Sequence, residues 1–120
     1  MYLVFPSAAA AAACALELQE RVRRLSAALG WAKLSIRIGG HAGPVFDGYD
    51  HVNKERTFYG THVTRAARIE PRTPPGEVYV TANFAALLAL DPSNELRLEY
   101  VGHVPTAKDY GSFPMYVVRR

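Results

Sequence analysis

The sequence predicts an α/β domain: one sheet with helices packed on it. Three observations carry this. Strand-like and helix-like hydrophobic periods alternate along the chain. Two strand-like segments close it, as a terminal hairpin would. The 120 residues are 49% hydrophobic and 21% charged, enough for one soluble core. Residues 1–120 therefore read as one domain, and no internal repeat is visible.

The elements follow in order. "YLVF", residues 2–5, has the composition of a short buried strand, closed by Pro6 and Ser7. Ser7 is a good cap for a helix over residues 8–29. Cys14, Leu18, Val22, Leu25 and Leu29 recur there at spacings of three and four, which predicts that this stripe faces the core. Glu17, Glu20, Arg21 and Arg24 occupy the other side, the alanine run allows close packing, and Gly30 ends the helix. Leu34, Ile36 and Ile38 alternate with Ser35 and Arg37, predicting a half-buried strand. Gly39, Gly40, Gly43 and Pro44 then predict an irregular turn.

Residues 46–57, "FDGYDHVNKERT", are polar and read as a surface loop or hairpin. A helix is predicted from Thr61 to Glu70, stopped by Pro71. "PRTPPG" is a rigid connector. "EVYVT", residues 77–81, is a strand, and Thr81 is placed to cap a helix over "ANFAALLAL". "DPSN" is a turn. "ELRLEYVG" and "FPMYVVRR" are the last two strands, joined by "HVPTAKDYGS".

Composition narrows the function. A net charge of +3 suits an anionic ligand. It falls short of the basic stripe of a dedicated nucleic-acid binder, and no string of aromatics among basic residues suggests RNA stacking. One cysteine, Cys14, excludes an internal disulfide framework and points to a reducing, cytoplasmic setting. The N-terminus is apolar but lacks a charged leader and runs into "ELQERVRR", so it reads as neither an export signal nor a membrane span. The histidines have no metal-ligand spacing. His41 reads as a structural ring bonded to nearby backbone, and Cys14 as a packed thiol.

The helix at 61–70 carries the most chemistry. At 100° per residue, Thr61, Thr64, Arg65 and Arg68 share one arc, with Val63, Ala66 and Ala67 opposite. Two guanidinium groups and two hydroxyls suit phosphate oxygens. An ordinary solvated face with ion pairs accounts for the same pattern. Both readings stay open on these residues alone.

Three ordered motifs go further. "SIRIGGHAGPV", residues 35–45, is similar to the strand "lriGiHtGpv" of the class III adenylate/guanylate cyclase catalytic domain. "YGTHVTRAARIEPRTPPGEVYVT", residues 59–81, resembles that family's "WGdtVNvAaRle…pGeilvs". The closing "YVGHVPTAKDYGSFPMYVVRR" resembles its "lG…lKG…pvyvv" hairpin. The resemblance covers nearly all of residues 2–119. It implies a ferredoxin-like α+β sandwich with a single, mostly antiparallel sheet. It implies conversion of ATP, with GTP second, to a 3′,5′-cyclic nucleotide and pyrophosphate, at a site shared by two subunits and dependent on Mg2+ or Mn2+.

Carried onto this sequence, the resemblance places Arg68 on the arginine that stabilises the transferring phosphoryl group. It places Thr57 on the base-reading position and Thr64 on the ribose-positioning asparagine, a departure. Lys108 falls near the phosphate-binding lysine, and Arg65 is a further candidate contact to substrate. The family's first strand and its two metal-binding aspartates have no counterpart, so the chain reads as a cyclase domain beginning partway through. Asp47 and Asp50 sit after the wrong strand to replace them. The expectation is a chain inactive by itself, whose complete domain serves as a signalling cyclase. A homodimer or fusion to further domains is the expected context. The alternatives are a non-catalytic cyclase-like module for dimerisation or regulation and, more distantly, a nucleic-acid-binding module.

Overall fold

The computed structural model describes residues 1–30, 33–109 and 111–120. Helix α1 spans Ala8–Leu29, with the Ser7 hydroxyl accepting from the Ala10 N–H and Gly30 left-handed at its end. Strand β1 is Ile38–Gly40, β2 is Phe46–Asp50 and β3 is Glu55–Tyr59. Helix α2, Thr61–Ile69, runs into a 3-10 turn at Glu70–Arg72. Strand β4, Val78–Thr81, leads into helix α3, Ala82–Leu90. Strands β5, Arg97–Pro105, and β6, Ser112–Arg119, flank a short turn at Ala107–Asp109. The predicted connector between them includes Tyr110, which lies outside the described residues.

The main sheet has the order β1-β4-β6-β5. It is mixed: β1 runs parallel to β4, while the β4–β6 and β6–β5 pairs are antiparallel. β2 and β3 form a separate two-stranded hairpin. The expected single sheet is thus a four-stranded sheet plus a hairpin. The predicted loop at 46–57 is that hairpin, turned by Asp50, whose carboxylate accepts from the Val52 and Asn53 N–H groups.

One face of the sheet carries α1 and α3. Ala12, Ala15, Val78, Val80, Phe84, Ala85, Leu88 and Val118 form its core. The leucine stripe predicted to face inward does not. Leu25 is 51% exposed, while Ala12, Ala15 and Gln19 are buried. The buried face is rotated by roughly 90° from the predicted one. Alanines let α1 approach closely, and the Gln19 amide donates to the carbonyls of Ile36 and Glu77, each at 3.1 Å. Those two bonds satisfy a buried polar group and tie α1 to the entries of β1 and β4.

α2 lies against the opposite face. A Cβ at Gly39 would run into the Glu70 N and Ile69 side chain, and one at Gly40 would meet Val80 and Phe84. The two glycines, expected in a turn, are strand residues that admit a helix on each side. Ladder pairing starts only at Ile38, because the Ile36 carbonyl is taken by Gly76 N–H and Gln19. This moves the strand predicted at 34–38 to Ile38–Gly40. Residues 2–5 pair with no strand and Tyr2, Leu3 and Val4 are exposed, so the strand expected there is absent.

Candidate functional site

The candidate site is built around α2. Gly60, at φ 129°, makes the turn into the helix, a conformation that side chains rarely adopt. The Thr64 N–H donates to the Gly60 carbonyl at 3.2 Å, and the Thr64 hydroxyl donates to the same oxygen at 3.4 Å. Thr64 is exposed, with its hydroxyl folded back on its own helix.

The helix is rotated from the orientation its sequence predicts. Ile69 is buried, Ala67 is exposed, and His62, Val63, Arg65, Ala66 and Arg68 lie partly covered. The inward face is therefore His62–Arg65–Ala66–Ile69, not Val63–Ala66–Ala67. The Arg65 guanidinium carbon stands 4.5 Å from the centroid of the Phe113 ring on β6. Its Nε is buried without an acceptor among the described residues. Arg65 therefore does not share the outward arc with Arg68, as the sequence predicts, but turns onto the sheet. Arg68, in the last turn, is partly exposed and has no hydrogen-bond or ion-pair partner among the described residues.

Two other segments adjoin α2: strand β3, which carries Thr57, and the turn Ala107–Asp109, which carries Lys108. Thr57 is the partly covered residue of β3, and its hydroxyl lies 3.0 Å from the Tyr2 hydroxyl, which donates to the Phe58 carbonyl. Lys108 is exposed and left-handed at φ 56°, an uncommon backbone state for a residue with a side chain. Thr57, Thr64, Arg68 and Lys108 come from three separate segments that meet at one helix.

Sequence reasoning missed a histidine pair beneath this helix. His41 Nδ1 lies 2.7 Å from Thr81 Oγ1, and His41 Nε2 lies 2.7 Å from His62 Nδ1. The rings stack at 4.9 Å. His41 is thus held by side chains rather than by the expected backbone. Thr81, expected to cap α3, makes no side-chain cap and gives its hydroxyl to His41 instead. Burial, the Arg65 charge and His62 together lower the His41 pKa from 6.5 to about 4. The pair is 21 residues apart in sequence, so no local spacing marks it. The one available signal is Gly43, where a Cβ would run into the His62 ring.

The carboxylates near the hairpin are committed elsewhere. Asp47 pairs with Arg56, and Asp50 holds the hairpin turn. Among the described residues no group of three His, Cys, Asp or Glu side chains is placed to hold a metal ion. The described residues thus offer no such cluster for the Mg2+ or Mn2+ that the resemblance implies. A groove of about 430 Å3 lies away from α2, beside Gln19, Arg23, Glu77 and Arg119. Its arginines are paired, Arg23 with Glu20 and Arg119 with Glu77, so it offers an anion little unclaimed charge. No helix among the described residues is long and apolar enough to cross a membrane.

Comparison with known proteins bears on the fold. The chain is similar to the guanylate cyclase domain of RhGC from Catenaria anguillulae, solved with GTP, at TM-score 0.78 and 23% identity over 98% of this chain and 63% of that one. It is similar to the adenylyl cyclase CyaB from P. aeruginosa at TM-score 0.75 and 19% identity, over 94% of this chain and 59% of that one. A dimeric guanylyl cyclase domain from Blastocladiella emersonii gives TM-score 0.73 and 20% identity, over 98% and 62%. The chain thus spans about three fifths of each of these structures. No curated protein matches it at a significant level. The sequence model of the adenylate and guanylate cyclase catalytic domain matches residues 4–119. The chain belongs to the adenylate and guanylate cyclase catalytic domain family.

Proposed function

We propose that this chain supplies the nucleotide-facing wall of a cyclase domain that converts ATP, or less readily GTP, to a 3′,5′-cyclic nucleotide and pyrophosphate. The observation that supports this most is that the turn Ala107–Asp109, which carries Lys108, lies against the helix that carries Thr64 and Arg68, with the Thr57 strand leading directly into that helix. Arg68 has no protein partner among the described residues and keeps a fork of donors for phosphoryl oxygens that gain charge. Lys108 adds a positive charge for the polyphosphate. Thr57 offers an oxygen to the base edge. Thr64 adjoins the ribose in this reading, but its hydroxyl has first to leave the Gly60 carbonyl. Arg65 acts from below, as a packed cation that holds α2 on Phe113.

A second copy of the chain is the proposed partner. The β2–β3 hairpin exposes Phe46, Tyr49, Phe58 and Tyr59, which supports an intermolecular contact there. A second reading, a non-catalytic cyclase-like module, is favoured by one observation: the Thr64 hydroxyl is spent within its own helix.

Incubation of the purified chain with ATP and Mn2+ separates these. We expect no cyclic nucleotide, but binding of a fluorescent ATP analogue that weakens about tenfold or more in Arg68→Ala. Unchanged binding in that variant removes Arg68 from the site. Metal-dependent turnover by the chain alone overturns the expectation of inactivity.

A further inference from the structure

The first turn of α2 is fastened by a contact that the proposed chemistry does not use. Both ring nitrogens of His41 are engaged at 2.7 Å, one by Thr81 and one by His62. Thr81 is only 3% exposed. Gly43 leaves the space that the His62 ring fills. One turn on, Arg65 lies over Phe113 with its Nε buried. The charged or titratable groups acting on His41 are Arg65 and His62, both from α2, and β4 contributes the Thr81 hydroxyl.

We propose that His41 and His62 form a clamp that sets the rotation of α2 about its axis, with His62 a positioning residue for Thr64 and Arg68. The second half of this statement rests on the reading of α2 as the nucleotide-facing wall. The geometry is direct. At 100° per residue, fastening residue 62 inward leaves 61, 64 and 68 on the outward arc. The apolar residues of α2 are divided: Val63, Ala66 and Ala67 favour another rotation, while Ile69, 1% exposed, favours this one. The histidine pair and the Arg65–Phe113 contact oppose the former.

Proton count gives the clamp a signature. In the neutral pair, one hydrogen lies between His41 Nε2 and His62 Nδ1. A first added proton leaves that hydrogen in place. A second gives each facing nitrogen its own hydrogen, and the two N–H groups repel. Opening therefore takes two protons and is steeper with pH than a single-site titration.

The test uses the 15N-labelled 120-residue chain. The Phe113 ring should shift the Arg65 side-chain Nε–H resonance upfield, which reports the rotation of α2 without any nucleotide. We expect that shift to persist at pH 7, to vanish steeply in acid, to be lost in His62→Ala, and to return in His62→Asn, whose amide can again meet His41. Affinity for a fluorescent ATP analogue should fall about tenfold in His62→Ala and recover in His62→Asn. An Arg65 shift that survives His62→Ala overturns the clamp. So does a His41 ring that titrates in the ordinary histidine range. Should His62→Ala fail to fold, the wild-type titration and His62→Asn still decide. If the Arg65 shift behaves as expected but no form of the chain binds ATP, the clamp stands and the nucleotide reading falls.

Discussion

The two faces of the main sheet are held by different chemistry. On one, α1 and α3 bury a continuous set of alanine, valine, phenylalanine and leucine side chains. On the other, α2 is fixed by Ile69 against Gly39, by Arg65 on Phe113, and by the His41–His62–Thr81 chain. The first face derives its stability from area removed from water, which tolerates small shifts. The second also buries Ile69, and adds directed contacts, which fail when geometry changes by a fraction of an ångström. The directed contacts on α2 therefore bear mainly on its placement, and the residues under α1 and α3 mainly on stability.

This contrast can be broken at several points. Leu88 is fully buried in the α1–α3 face, and Leu88→Ala should cost about 3 kcal/mol in urea unfolding. An Arg65 ring-current shift that stays at its wild-type value in the folded fraction would confirm that the faces act separately. Gly43→Ala places a methyl against His62 and should cost about 2 kcal/mol. Here the Arg65 shift should move as well, and its failure to move would weaken the division.

Acid should act on the α2 face next. His41 takes a proton near 6.5 in the unfolded chain but only near 4 when folded. Its contribution is therefore present above 6.5 and lost as pH falls toward 4. The half-buried ring tempers the effect, leaving about 1–2 kcal/mol. Urea melts of wild type and His41→Gln at pH 7 and pH 4.5 isolate this term from the carboxylates, and equal pH slopes would refute it. Smallest of all, Arg56→Ala removes an exposed ion pair to Asp47 and should change stability by under about 0.5 kcal/mol. A larger loss would mean that the hairpin belongs to the cooperative unit.

Sequence and structure agree unevenly, and the same contrast explains where. Helix α1 and its caps were legible because Ser7 and Gly30 act locally. The family was legible because its motifs are contiguous. Both helix rotations were misread, each for its own reason. In α1 the alanines won the sheet because small side chains let backbones approach, so the larger leucines were left outside. In α2 the buried Ile69, a histidine bond and a cation on an aromatic ring outweighed three small apolar side chains. The strand at residues 2–5 has the right composition but no neighbour to pair with. The candidate residues Thr57, Thr64, Arg68 and Lys108 come from the family motifs alone, while the pairing of His41 with His62 depends on a close approach that no one-dimensional pattern encodes.

Thr81 has a consequence of its own. It ends β4, where its neighbour Val80 points to the α1–α3 core while its own hydroxyl reaches His41 on the other side. It is also the residue that opens α3, and it leaves that helix without a side-chain cap. One hydroxyl therefore has two suitors, one in each layer. Whenever His41 lets go, the hydroxyl becomes free to bond the first amides of α3. Slackening on one side of the sheet is then answered by tightening on the other, which makes Thr81 a seesaw between layers that otherwise share only the strands between them.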